Sequence, residues 1–165
     1  MYKVVCYHLP EEEHPFLPFV PEYATKLIIG TIPPERFYKK NLFCSDVDFY
    51  YGSKDNAFWN LLGEIFGIKF LNEKNENEIQ KRKNFLTDKK IGICDIVKKT
   101  TRKNGSALDK DLDVKEFLDI TELLEANPNI DTLIYTSATG GVKSMMSKYL
   151  KNKYNKEICH TTINK

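Results

Sequence analysis

The sequence predicts an α/β fold, with a three-layer α/β/α arrangement around a short, mainly parallel central sheet. Three observations predict it. Short apolar runs at residues 26–30, 91–97 and 132–136 have the length and the β-branched content of buried strands. Between them lie segments whose apolar residues recur at helical spacing. No obvious hairpin turn joins the runs, and strands alternating with helices pair in parallel through crossovers that cover both faces of a sheet. At 165 residues and 41% hydrophobic, the chain is long enough for one compact domain and too short for two, so residues 1–165 are expected to form a single unit.

Taken in order, residues 1–23 include Pro10, Pro15, Pro18 and Pro21, which fix φ and remove amide donors, so an extended arm over the surface is expected. Lys26-Leu27-Ile28-Ile29-Gly30 is the first core strand, and residues 31–37 form a bend stiffened by Pro33 and Pro34. The stretch from Tyr50 to Trp59 sets two tyrosines and a polar loop ahead of a helix. It reads either as a stacking surface with a hydrogen-bonding edge, suited to a planar heterocycle, or as core packing at a strand end. Asp55 is the candidate N-cap of a helix that buries a face made by Phe58, Leu61, Leu62, Ile65 and Phe66 and stops at Gly67. Residues 72–83 are charged throughout and read as a solvated helix or insertion. The second strand, 91–97, contains the carboxylate of Asp95 and leads into a basic turn over 98–106. A helix over 114–127, carrying Phe117, Leu118, Leu123 and Leu124, ends at Asn127-Pro128. A strand at 132–136, a helix from Thr139 or Gly140 to about Asn152, and a last strand at 157–161 complete the expected order.

Charge and cysteine usage narrow the chemistry. The balance of 25 Lys and Arg against 23 Asp and Glu leaves a formal charge of +2, so any footprint for a polyanion has to be local. Cys6, Cys44, Cys94 and Cys159 form no C-x-x-C pair, and with only three histidines they do not match the spacing of a zinc or iron–sulfur site. No metal and no other cofactor is expected. No apolar run reaches the length of a membrane span and the N-terminus lacks a signal-peptide layout, so a location in the reducing cytoplasm, away from membranes, is expected, and a monomer is assumed.

Ligands of open α/β sheets bind beyond the carboxyl ends of the strands. That rule gathers residues 31–34, 98–106 and 137–141, with Tyr51 and Asn56 on the connection that follows the first loop. Asp95 is the only carboxylate in an otherwise apolar strand, suited to acid–base work or to a structural hydrogen bond with a neighbouring loop. Asn56 either offers its amide to a ligand or braces the start of its helix. The basic run of Lys98, Lys99, Arg102 and Lys103, with Ser106, is either a phosphate-contacting cluster or a solvated loop. Gly140-Gly141 is either a phosphate cradle at a helix start or a tight turn.

Taken together, these segments resemble the uracil-DNA glycosylase superfamily. Gly30-Thr31-Ile32-Pro33-Pro34 is similar to that superfamily's first motif, a G-x-x-P-G-type loop. The run from Tyr51 to Trp59 resembles the aromatic-led N-x-F-W segment of its mismatch-specific and hypoxanthine (deoxyinosine) branches. Gly92 to Val97, Gly105-Ser106 with Leu108-Asp109, and Asn127-Pro128 with Ile130 agree in order and spacing, and the similarity covers roughly residues 24–150. The resemblance implies a metal-independent DNA glycosylase that flips a deaminated base, hypoxanthine or uracil, out of DNA and hydrolyses its N-glycosidic bond.

By that resemblance Gly30, Thr31, Ile32, Pro33, Tyr51 and Ser137 would bind the base. Asn56 and Asp95 would be catalytic, and Lys98, Lys99, Arg102, Lys103 and Ser106 would contact the DNA backbone. Ile32 stands where the most active relatives carry a polar residue, so Asn56 takes the leading role by resemblance alone. The family's second signature loop would follow the last strand, and the sequence ends at Thr161 to Lys165 where it would begin, from which weak binding to duplex DNA is expected. Two other classes stay open: a catalytically degenerate nucleic-acid-binding module of the same fold, and a small-molecule hydrolase on the same frame.

Overall fold

The computed structural model describes residues 9–103, 108–137 and 141–154. Among these residues the elements run β1 (Glu12–Glu13), β2 (Lys26–Gly30), α1 (Glu35–Tyr38), α2 (Phe58–Phe66), α3 (Glu76–Asp88), β3 (Ile91–Asp95), β4 (Val97–Arg102), β5 (Leu112–Phe117), α4 (Ile120–Glu125), β6 (Thr132–Tyr135) and α5 (Gly141–Tyr154). Strand β2 is the spine, pairing in parallel with β3 on one side and with β6 on the other. Successive side chains of a strand point to opposite faces. Leu27 and Ile29 therefore enter one core with Val142, Met146 and Tyr149 of α5 and Ile120 of α4. Ile28 enters the other with Trp59 of α2, Phe85 and Leu86 of α3, and Ile93 of β3. Helices thus cover both faces of the parallel sheet.

Among the described residues the parallel arrangement extends to three strands. A second sheet, ordered β1-β4-β5, is antiparallel, so one three-stranded sheet of each kind stands where a single, mainly parallel central sheet is expected. The apolar run at 91–97 spans the switch between them: Asp95 ends β3, Val97 opens β4, and Ile96 passes between. The switch is pinned by the first loop, because Gly30 accepts from the Ile96 amide at 2.9 Å and Thr31 accepts from the Val97 amide at 3.1 Å.

Other expectations are corrected here. The basic turn over 98–106 is strand β4 for most of its described length, held because Thr100 and Thr101 are buried and the backbone pairs on both sides. The helix over 114–127 is instead β5 followed by the short α4, capped by Asp119, whose carboxylate accepts from the Glu122 amide. Helix α2 begins at Phe58 rather than at an Asp55 cap and does stop at Gly67, which takes a left-handed φ of 66°. Its expected apolar face is largely solvent-facing: Leu61, Ile65 and Phe66 are exposed, and the buried anchor is Trp59. The charged stretch is helix α3, yet Glu78 and Arg82 within it are buried and paired at 2.6 Å, with Arg82 also donating to the Leu71 carbonyl at 2.9 Å. The described part of the N-terminal arm, residues 9–23, is extended as expected but is built into the fold, through β1 and a bridge between Phe19 and Ile93. The strand expected at 157–161 lies outside the described residues. Among the described residues no helix is long and apolar enough to cross a membrane.

Candidate functional site

A recess of about 300 Å³ opens at the carboxyl ends of β2, β3 and β6. Its floor and one wall come from the loop after β2, with Thr31, Ile32, Pro33 and Pro34. A second wall comes from the connection before α2, with Tyr51, Ser53, Asp55 and Asn56. Asp95 at the end of β3, Thr136 and Ser137 after β6, and Asp109 close it. Among the described residues the lining holds three carboxylates, those of Asp55, Asp95 and Asp109, and no lysine or arginine.

The wall before α2 is shaped by a buried clamp. Arg36 on α1 donates to both oxygens of Asp46, from Nε at 2.7 Å and from Nη2 at 3.0 Å, and to Ser53 Oγ at 2.7 Å. Asp46 is fully buried and also accepts from the amides of Phe43 and Lys54. Burial opposes its charge, but the Arg36 pair and those amides outweigh it and hold the carboxyl below its usual range. The loop can therefore carry Tyr51 in a left-handed conformation, at φ 54°, which costs a non-glycine residue energy and needs surroundings that enforce it.

The two tyrosines of the Tyr50-Tyr51 pair divide the two roles the sequence leaves open. Tyr50 is core: it is buried, its hydroxyl donates to the Leu17 carbonyl at 3.1 Å, and its own carbonyl accepts from Trp59 Nε1 at 2.8 Å. Tyr51 borders the recess. One face of its ring stacks on Phe58, with centroids 4.3 Å apart and planes 30° from parallel, and its hydroxyl shares a 2.8 Å hydrogen bond with Thr136 Oγ1. Burial, and then the charge of Asp95, push the Tyr51 hydroxyl pKa well above its usual value, so it remains a neutral hydrogen-bonding group.

Gly30 is required by close approach. A Cβ there would lie 2.2 Å from Asp95 Oδ1 and 2.3 Å from the Tyr51 hydroxyl, so the absence of a side chain lets both groups converge on the end of β2. Asp95 and the ring of His14 are both buried, and His14 Nε2 lies 2.9 Å from Asp95 Oδ2. Asn56 is exposed at the rim, and its Oδ1 accepts from the Phe58 amide at 2.9 Å. It therefore braces its helix through the oxygen while its amide nitrogen is left to face elsewhere. Ile32 packs against the core under α5, where an isoleucine can neither donate nor accept a hydrogen bond.

The residues expected to bind a base thus stand around one recess: Thr31, Ile32, Pro33, Tyr51 and Ser137 line it together with Asn56 and Asp95, and Gly30 lies beneath. The expected backbone-contacting cluster does not join them. Arg102 is buried, pairs with Glu12 at 2.7 Å and donates to the Pro33 carbonyl at 2.6 Å, so it braces the first loop from behind. Lys98 and Lys99 both pair with Glu116 on β5, at 2.5 and 3.5 Å. Lys103 is exposed beyond β4, and Ser106 and Gly140 lie outside the described residues.

Comparison with known proteins decides the family. Over 129 residues the chain is 30% identical to a hypoxanthine DNA glycosylase of Methanosarcina barkeri (strain Fusaro / DSM 804), an alignment covering 76% of this chain and 72% of that protein. The chain belongs to the hypoxanthine DNA glycosylase family. A solution NMR structure from Methanosarcina acetivorans, provisionally assigned as a uracil DNA glycosylase, shares the fold with a TM-score of 0.61 at 22% identity, covering 90% of this chain and 81% of that one. No model of a known protein family matches the chain.

Against this glycosylase family background, three participants in the site were missed by sequence reasoning. His14 carries no local signal, because its partner lies 81 residues away. Asp109 stands in the recess against the start of α5, where its Oδ2 would lie 1.9 Å from a Cβ at Gly141; it sits in a segment that was matched by resemblance but given no role. Thr136 directly follows the third parallel strand, and the rule placing ligands beyond strand ends pointed to it without singling it out.

Proposed function

We propose that this protein is a DNA glycosylase that takes a deaminated base, hypoxanthine or uracil, into the recess and hydrolyses its N-glycosidic bond, as the first step of base excision. The observation that carries the proposal is the composition of the recess: an aromatic ring, a rim amide and three carboxylates, with no basic side chain among the described lining residues. Cleavage of an N-glycosidic bond develops positive, oxocarbenium-like charge on the sugar and negative charge on the leaving base. Carboxylates suit the first, amide donors suit the second, and a phosphate would be repelled from such a lining.

In this proposal Tyr51, backed by Phe58, offers its ring edge and remaining face to the extruded base, recovering about 1–3 kcal/mol of the stacking lost on flipping. The Asn56 amide nitrogen donates to the base, since its oxygen is engaged by the Phe58 amide. Asp95 accepts a proton from the attacking water, whose oxygen bonds to C1′ as the C1′–N bond breaks and its electron pair leaves on the base. Asp109, in the same lining, adds negative charge that favours the cationic sugar. The first loop is held still by Pro33, Pro34 and Arg102 from behind, as preorganised electrostatics requires.

A second assignment, a nucleic-acid-binding module without catalysis, is favoured by one observation: Ile32 is packed apolar where a water-positioning group would stand. A base-release assay on single- and double-stranded oligonucleotides carrying hypoxanthine, uracil or xanthine, run beside the free deoxynucleosides, separates the assignments. Release from an oligonucleotide supports the glycosylase, binding without release supports the module, and release from free nucleosides alone supports a small-molecule hydrolase.

A further inference from the structure

His14 brings the N-terminal arm to the candidate site. Its Nε2 lies 2.9 Å from Asp95 Oδ2, with the two side chains only 7% and 8% exposed. Its Nδ1 lies 2.8 Å from the Phe16 carbonyl oxygen and 3.1 Å from the Phe16 amide nitrogen. The ring stacks on Tyr50 with centroids 5.7 Å apart, so the plane of the imidazole is set from several sides. Asp95 borders the recess on one side and a second hollow of about 90 Å³ on the other, which His14 also lines. Its carboxylate is the partition between the two. Oδ2 is gripped by His14, and Oδ1 rests over Gly30 beside the Tyr51 hydroxyl.

We infer that His14 is a positioning residue for Asp95: its Nε2–H fixes Oδ2 and so presents Oδ1 to the recess as the proton acceptor. This rests on the glycosylase assignment above and deepens it. In the step it supports, Oδ1 takes one proton from water, the water oxygen forms the bond to C1′, and the C1′–N electron pair departs with the base. The carboxyl then returns its proton to solvent, and nothing is oxidised or reduced. Without its partner, Asp95 would be a buried carboxylate lacking its principal hydrogen-bond donor and free to turn away from the recess.

Other titratable groups face the pair. His14 reaches Asp95 from the arm, Tyr50 and Tyr51 from the connection before α2, and Cys94 from its own strand, while Glu13 and Lys98 line the hollow beside His14 and Asp109 lines the recess. Burial holds the protons on Tyr50, Tyr51 and Cys94 throughout the working range.

The test measures single-turnover base release against pH for wild type, His14→Gln, Asp95→Asn and the double variant, with oligonucleotide affinity and thermal unfolding measured separately. His14→Gln is expected to bind the oligonucleotide like wild type and to release base about 10- to 100-fold more slowly, as a misplaced catalytic group does. In the Asp95→Asn background it should cost nothing further, because it acts through Asp95. A His14→Gln variant with wild-type rate and profile, or an equal further loss in the Asp95→Asn background, overturns the assignment. Should His14→Gln not fold, imidazole nitrogen spectra of folded wild type and Asp95→Asn decide: a changed Nε2–H signal upholds the pair and an unchanged one overturns it. Wild-type protein that releases none of the bases overturns the glycosylase assignment and this one with it, whereas wild-type release with an indifferent His14→Gln overturns only the role of His14.

Discussion

Tyr51 and Thr136, 85 residues apart, join their hydroxyls across a 2.8 Å hydrogen bond, so the connection before α2 is tied to the end of β6 at the wall of the recess. The bond fixes the Tyr51 ring from its tip while Phe58 fixes one face. Tyr51→Phe should keep the stack and lose only the bond, at about 0.5–1.5 kcal/mol of stability. Tyr51→Ala should also weaken binding of an oligonucleotide with an extruded base by about 1–3 kcal/mol. Denaturant unfolding and fluorescence-anisotropy titration of the two variants check the separation.

Gly30→Ala places a methyl group where Asp95 Oδ1 and the Tyr51 hydroxyl already stand, and both side chains are held by other partners. The backbone or both side chains must move. We expect a loss of about 1–3 kcal/mol and a lowered Tm, with a larger fall in base release than the stability loss alone produces. Calorimetry and single-turnover release, measured on the same preparation below its Tm, check this.

Arg102 is buried against Glu12 and under Pro33, so its removal should be a stability event. Arg102→Met leaves Glu12 as an uncompensated buried carboxylate, at a cost of about 3–5 kcal/mol. The salt dependence of oligonucleotide binding should keep its wild-type slope, since no phosphate contact is lost. A slope reduced by about one would instead place Arg102 on the DNA backbone.

Acid should loosen the recess wall through Asp46. Its carboxyl titrates below its usual range in the folded protein, whereas in the unfolded chain it titrates near about 3.9. A depressed folded value stabilises the protein fully above the unfolded pKa, and the stabilisation is lost as pH falls through the folded value. Urea unfolding from pH 7 down to about pH 2 should therefore show wild type well above Asp46→Asn at neutral pH and the gap narrowing below the ordinary carboxylate pKa. A gap independent of pH would contradict the clamp.

Cys94 and Cys44 should differ in thiol chemistry. Cys94 is buried, and burial followed by the charge of Asp95 pushes its thiol pKa up, while Cys44 is exposed. Alkylation at pH 8 with peptide-level mapping should modify Cys44 in the native protein and Cys94 only on unfolding.

Much of the frame was legible because local signals and tertiary packing agreed. The run at 26–30 is β2 to the residue, since an unbroken apolar run ending in glycine fits a strand buried on both faces. Gly67 stops α2 because it alone tolerates the left-handed turn there without strain. Strand β5 was missed although Leu112 and Val114 alternate with Asp113 and Lys115, because Phe117, Leu118, Leu123 and Leu124 lent the longer stretch a helical count. Arg82 and Glu78 stood four residues apart as a pair, but their burial depends on Phe70, Leu71 and Trp59, which only the fold brings near. The recess was foreseen from strand ends and loops. The His14 contact was not, because a histidine in a proline-rich arm says nothing about a carboxylate in a distant strand.

The most direct measurement is single-turnover release of hypoxanthine and uracil from oligonucleotides by wild type and by Asn56→Ala. Release by wild type and a loss of about 10²- to 10³-fold on removing that donor is the outcome expected if an amide at the rim stabilises the departing base. Equal release by the two proteins would contradict it.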